Sequence, residues 1–382
     1  MERVQIKPEL IRWALQRSGK NMESLLESFP KLPEWETGTS KPTLRQLEDF
    51  AQATKTSVGY FFLLQPPEEQ LPITDFRKTR TARGRPPSPD LLDTIYICEQ
   101  RQEWFLNFAR YAGFEPLPFV GTGKINDDIV RTAAQIRQTF RISLDERKKI
   151  HTWEDALRQF IYQADANGIL VMVNGVVGNN THRKLDPQEF RGFILSDPIA
   201  PLVFINGADT KSAQMFTLAH EIAHIWLGKS GLIDAEAADI TQDAIETWCD
   251  KVAAELLVPL DIIQREYKAD TPLDLEIHRL ARCFKVSTLV IIRRIYDAGG
   301  ISKDRMWDTY YAEYARLMKI KPRGGGGDFY LTETARVGRR FAQAIVLNTL
   351  EGQTLYRDAF HLLGFSKLET FKILGEHVGV LS

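Results

Sequence analysis

"FTLAHEIAHIWLG", Phe216 to Gly228, is the stretch on which the reading of this chain turns. Most of it has the composition of the buried side of a helix, yet it contains His220 and His224 with Glu221 directly after the first. Helix positions four apart lie one above the other, about 5–6 Å between Cβ atoms. The two imidazoles therefore project together, near enough to share one metal ion. "HEIAH" fits H-E-x-x-H, the pattern in which both histidines bind zinc and the glutamate serves as general base. Two satisfied core histidines would leave the same trace, so a third ligand has to be sought elsewhere.

Catalytic zinc takes three protein ligands and keeps one position for water. The next strong helical segment, "AIETWCDKVAAELLVP", offers Glu246 and Asp250, again four apart, on a stretch otherwise apolar at Ala244, Ile245, Trp248, Val252, Ala253, Leu256 and Leu257. Carboxylates on a buried helix need a compensating partner. Zn²⁺ provides one for Glu246 as third ligand. The free ring N–H of a ligand histidine provides one for Asp250, which would fix that histidine's tautomer. The alternative is that both carboxylates face solvent beside Lys251. The expected chemistry is metal-assisted peptide hydrolysis, with Glu221 passing a proton from water to the leaving amine. His182 and Asn206 are candidates for stabilising the oxyanion, each with a structural alternative. Cys249, one residue before Asp250, reads as a buried structural thiol.

H-E-x-x-H followed by E-x-x-x-D on a later helix is the layout of the Glu-zincin peptidases. "FTLAHEIAHIWLG", "ETWCDKVAAELLVP" and the preceding "EFRGFILSDPIAPLVFIN" together resemble the ImmA/IrrE-type (DUF955) zinc metallopeptidase family, closely over about 170–265 and loosely over 125–320. The resemblance places the third ligand at Glu246. Cys249, Asp250, Val252 and Val258 stand where the family usually has Ala, Asn, Phe and Met. It implies a regulatory endopeptidase acting on a specific protein such as a repressor, or a protein that sits beside a toxin partner.

The whole chain sets the frame. Its 382 residues suit two or three units, and 43% hydrophobic with 26% charged residues is the balance of a folded soluble protein. Lys and Arg (49) nearly cancel Asp and Glu (50), so no global positive field points to nucleic acid. Scattered Cys98, Cys249 and Cys283 argue against a disulfide framework, and no stretch approaches the roughly 20 apolar residues of a membrane span. The expectation is a cytoplasmic protein with no membrane partner.

The organisation expected is α+β and predominantly helical. Residues 1–65 read as short helices, 66–124 as a helical connector, 125–322 as the peptidase domain, and 323–382 as a helical C-terminal region behind the run "RGGGGD" (323–328). Within the peptidase part, "ILVMVNGVV", "FRGFILS" and "APLVFING" read as strands of a small sheet. The strand at Phe193–Ser196 could offer its edge to an extended peptide, or be an ordinary core strand. "RVGRRFAQAIV" in the C-terminal region is expected to pack on the peptidase domain, with partner docking as the alternative.

"EWETGTSKPTLRQLEDFAQATKTSVGYFFL" resembles the later half of a Cro/C1-type (XRE) helix-turn-helix domain through Trp35, Glu36, Gly38, Pro42, Thr43, Leu47 and Ala51. That resemblance implies DNA as a possible partner. The segment that would read bases, "ESFPKLPEW", holds Pro30 and Pro33, and Lys31 is almost its sole basic residue, so a full-length recognition helix is not expected. The basic loop Arg77–Arg85 could touch nucleic acid or simply be solvated. The rival to the enzyme is therefore a non-catalytic regulator or antitoxin-like module that binds DNA or a toxin on a peptidase-like platform.

Overall fold

The computed structural model describes residues 3–67, 87–228, 242–319 and 329–381. The basic loop Arg77–Arg85 and the glycine run 323–328 lie outside the described residues. The chain divides into two compact units, with the division falling inside one helix near Tyr96.

The N-terminal unit holds α1 (Pro8–Ser18), α2 (Met22–Ser28), α3 (Leu32–Thr37), α4 (Leu44–Ala53), a 3-10 turn (Val58–Phe62) and the start of α5 (Pro89–Tyr111). Phe50 is its centre: fully buried, it meets Phe29, Trp35 and Phe61 at ring-centroid distances of 5.6–6.1 Å. Thr43 and Gln46 form a reciprocal capping box at the start of α4. The segment "ESFPKLPEW" supplies the end of α2 and then α3, which is six residues long, has Pro33 in its first turn and stops at Gly38 in the left-handed region.

The second unit contains the rest of α5, then α6 (Ile129–Phe140), α7 (Leu144–Lys149) and α8 (Trp153–Ala166). Five short strands follow: β1 (Leu170–Asn174), β2 (Val176–Val177), β3 (Asn180–Lys184), β4 (Gly192–Leu195) and β5 (Leu202–Asn206). They precede α9 (Lys211–Leu227), α10 (Gln242–Leu257), α11 (Leu260–Glu266), α12 (Leu273–Phe284), α13 (Thr288–Asp297) and α14 (Lys303–Met318). The C-terminal region is four helices, α15 (Phe329–Val337), α16 (Arg339–Leu350), α17 (Tyr356–Leu363) and α18 (Leu368–Val378), with Gly338 breaking the run that reads as one helix in the sequence. The fold is thus α+β and mainly helical, as expected. No helix among the described residues is long and apolar enough to cross a membrane.

The main sheet has the order β1-β5-β4. β1 runs parallel to β5 with Leu170 opposite Leu202, while β4 runs antiparallel to β5 with Phe193 opposite Phe204. β2 and β3 form a separate hairpin. β5 is buried on both faces, which is why "LVFIN" is a continuous apolar run rather than an alternation. Val171, Ile194, Val203 and Ile205 share one core with Met215, Leu218 and Ile222 of α9. On the opposite parity, Phe193 and Phe204 stack at 5.0 Å.

The C-terminus of α10 is held from three directions. Arg137 of α6 donates to Glu255 O (2.8 Å), Arg147 of α7 donates to Leu257 O, and Arg294 of α13 donates to Val258 O (2.9 Å) and pairs with the Glu255 carboxylate. The last carbonyls of a helix have no partner within it. Here arginines satisfy them and carry the charge that suits the negative end of the helix.

Candidate metal centre

α9 starts with a cap, Thr210 Oγ1 accepting from Ala213 N, and ends at Gly228, whose φ of 66° only glycine adopts readily. Its last turn is bound by the segment just before α6: Gly121 N donates to Ile225 O (3.1 Å) and Gly123 N to Trp226 O (2.8 Å). The two backbones nearly touch, because a Cβ on Gly228 would lie 2.5 Å from Gly121 Cα. Phe119 stacks on Trp226 at 5.2 Å beside this contact. α9 is consequently fixed at both ends, and every residue from Met215 to Leu227 except Phe216 is buried.

His220 and His224 stand on that buried helix at 4% and 1% exposure. Their Nε2 atoms are 3.0 Å apart. Glu246 of α10 meets both, Oε2 lying 3.4 Å from His220 Nε2 and Oε1 lying 3.0 Å from His224 Nε2. On the far side of the first ring, His220 Nδ1 is 3.1 Å from Asp250 Oδ1. A neutral His220 that donates Nδ1–H to Asp250 has a lone pair at Nε2, so two nitrogen donors and a carboxylate converge on one point.

This donor set is suited to a metal. Ligand distances of about 2.0–2.2 Å in a tetrahedron give edges of roughly 3.3–3.6 Å between donors. The two ring nitrogens are 3.0 Å apart, and they lie 3.4 and 3.0 Å from Oε2 and Oε1 of Glu246 respectively, separations at or a little below those edges. Two imidazoles and a carboxylate are a ligand set found in catalytic zinc sites and one that also suits other first-row divalent cations. Among the described residues, this is the one group of three or more His, Cys, Asp or Glu side chains close enough to hold an ion. Putting a carboxylate and two imidazoles into an apolar core costs several kcal/mol without compensation, and a bound cation would offset it.

Glu221 is nearly buried, and it lies toward β4. A Cβ built on Gly192, the first residue of β4, would fall 2.5 Å from Thr217 Cγ2, 2.7 Å from Phe204 O and 3.7 Å from Glu221 Oε1. Any side chain at 192 would therefore wedge β4 away from α9 and the carboxylate. Gly192 was not among the residues singled out from the sequence, although a glycine interrupting the strand "FRGFIL" is the signal of a close backbone approach.

The remaining sequence candidates lie elsewhere. His182 is on exposed β3. Asn206, fully buried, donates to Phe190 O (3.0 Å) and accepts from Ala208 N (3.0 Å), which is a structural use of its amide. Cys249 is buried in the core shared by α9 and α10.

Residues 164–296 match the model of the IrrE N-terminal-like domain (Peptidase M78), which supports the resemblance of this part of the chain to the ImmA/IrrE family. Residues 337–377 match a second model, described as a domain of unknown function (DUF8813). Two curated relatives are each named radiation response metalloprotease IrrE, one from Deinococcus radiodurans and one from Deinococcus deserti. Both are 35% identical over 96 residues, 24% of this chain. The match spans 29% of the first relative and 34% of the second, about a third of their length.

Proposed function

We propose that the chain is a zinc-dependent endopeptidase of regulatory type. The observation that carries this reading is the convergence of His220, His224 and Glu246 at separations of 3.0–3.4 Å, with the Glu221 carboxylate next in sequence on the same helix. His220, His224 and Glu246 would hold the metal, and Asp250 would orient His220 through Nδ1. Zinc in such a site polarises a peptide carbonyl and brings the pKa of water to about 7. Glu221 takes the water proton and delivers it to the departing amine. Its burial removes competing solvent, so the carboxylate acts in a low dielectric where its charge is felt strongly.

β4 supports the recognition of an extended peptide. It is the outer strand of the sheet on this side, and it starts beside Glu221. Asn206 N donates to Arg191 O, so residues 191, 193 and 195 turn their peptide groups to β5, and those of Gly192 and Ile194 point outward. An added strand would pair with these groups. A protein substrate, such as a repressor, fits this mode better than a small molecule does. A toxin partner and DNA contact through the N-terminal unit belong to the rival reading, a non-catalytic regulator.

The test is metal content by elemental analysis, followed by cleavage of a peptide library. Wild type should carry near-stoichiometric zinc that is lost in His220→Ala and Glu246→Ala. Glu221→Gln should retain the metal and lose cleavage. Wild type that binds no zinc even after supplementation would overturn the reading, as would Glu221→Gln protein that cleaves normally.

A further inference from the structure

Both long edges of the β1-β5-β4 sheet can be followed group by group. Leu170 N donates to Pro201 O, and Asn174 O accepts from Gly207 N. Leu170, Met172 and Asn174 therefore face β5, and the peptide groups of Val171 and Val173 point away from it, toward the β1 edge. That edge is occupied at Val171. Val171 N donates to Asp165 Oδ1 (3.3 Å). On Val171 O sits Gly338, with φ +80° and so close that a Cβ there would fall 2.7 Å from the oxygen.

Gly338 is the residue between α15 and α16, and the contacts around it are specific. Arg336 pairs with Glu333 and donates to Asn179 Oδ1 (3.3 Å) at the β2–β3 turn. Asn179 Nδ2 donates to Gly364 O (2.7 Å), just beyond α17. Arg101 of α5 donates through Nε to Leu362 O (2.9 Å) and through Nη1 to Arg336 O (3.2 Å). Arg340 lies over the rings of Phe105 and Phe114, 5.6 and 5.5 Å from their centroids. Glu333, Arg101 and Phe341 are all buried. This is a built joint between the C-terminal helices and the sheet, with polar groups matched on both sides.

We propose that α15–α18, of which the last three helices match a domain of unknown function, is an intramolecular edge lock for the peptidase sheet. It stands where a further strand would add to β1 and restricts strand addition to β4, the edge beside Glu221. The partner it excludes is an extended peptide segment, in particular β1 of a second copy of this chain. The lock itself follows from the ladder and the Gly338 contact. Its consequence for substrate choice rests on the peptidase reading, and the two are separable by experiment.

The test uses full-length protein carrying Gly338→Val, which puts a branched side chain against Val171 O in a backbone conformation that β-branched residues avoid. Asn179→Ala serves as a milder second variant that leaves Gly338 in place. Amide hydrogen exchange is read over residues 168–175, with 215–227 and 244–257 as internal references. Zinc content and sedimentation at several concentrations are measured in parallel. The lock predicts at least tenfold faster exchange at 168–175 in Gly338→Val, a smaller increase in Asn179→Ala, unchanged protection in both reference segments, unchanged zinc content, and self-association that grows with concentration. Unchanged exchange at 168–175 in both variants would overturn it. So would a loss of protection shared by α9 and α10 in Asn179→Ala, because α15–α18 would then be general core. Failure of Glu221-dependent cleavage in wild type would count against the peptidase reading alone and leave the lock standing.

Discussion

The contact between Asp250 and His220 allows a quantitative test of the metal centre. Asp250→Ala removes the oxygen that lies 3.1 Å from His220 Nδ1 and leaves all three donor atoms in place. Outer carboxylates of this kind are worth about 10–100-fold in metal affinity. The Asp250 side chain is 39% exposed against 5% for His220, so water screens part of its charge and can replace part of its hydrogen bond. The lower half of the range is therefore expected, about 10–30-fold, equivalent to roughly 1.4–2 kcal/mol. Asp250→Asn keeps an acceptor oxygen and loses only the charge, so its loss should be smaller, about threefold to tenfold. Zinc Kd would be measured by competition with a chromophoric chelator at constant pH and ionic strength, with circular dichroism as a check on folding. Wild-type affinity in Asp250→Ala would refute the reasoning. Equal losses in Asp250→Asn and Asp250→Ala would show that charge alone, and not the hydrogen bond, is what His220 responds to.

Three further outcomes are expected. Gly228→Ala combines a left-handed backbone with a Cβ only 2.5 Å from Gly121 Cα, and should destabilise by about 2–4 kcal/mol in denaturant melts; Gly121→Ala, whose Cβ would meet Gly228 at an ordinary 3.6 Å, should lose only about 1 kcal/mol. Glu255→Gln removes the buried charge partner of Arg294 and leaves it only the half-exposed carboxylate of Asp297 at 3.3 Å, so it should cost about 2–4 kcal/mol of stability, with weaker zinc retention because α10 carries Glu246. Burial pushes the Asp165 carboxyl up to about 7 from an ordinary 3.8, against the opposing pull of Arg340 and Arg339. The folded state then holds a proton that the unfolded chain has released, so this group's contribution to stability declines as pH rises from about 4 and is gone above about 7. Asp165→Asn should flatten that decline, by at most about 4 kcal/mol, in paired melts of variant and wild type from pH 4 to 8.

Much of the site was legible because helical spacing turns a linear pattern into a shared direction. His220 with His224, and Glu246 with Asp250, are each four apart, and the structure brings both pairs to one point. What the spacing could not supply was the relation between the two helices, which depends on how their apolar faces pack. The strands "ILVMVNGVV", "FRGFILS" and "APLVFING" were visible as β-branched and aromatic runs. β3 was passed over because "NTHRK" is polar and largely exposed, so no alternation marks it. α14 was missed for a similar reason: Met306 is buried, but Trp307, Tyr311 and Tyr314 are exposed aromatics that blur the helical stripe. The parallel β1–β5 pairing and the return of Gly338 to β1 are long-range contacts, and no local pattern encodes them.

The contact of Gly338 with Val171 also bears on how the chain is made. During synthesis β1 leaves the ribosome about 170 residues before the helices that cover its edge, and at about 5–20 residues per second this is an interval of roughly 10–35 s. For that interval the nascent sheet has a bare strand edge while the metal-binding helices are already available to fold. Where the chain folds as it is made, its aggregation in the cell should depend on how quickly α15–α18 follow the sheet.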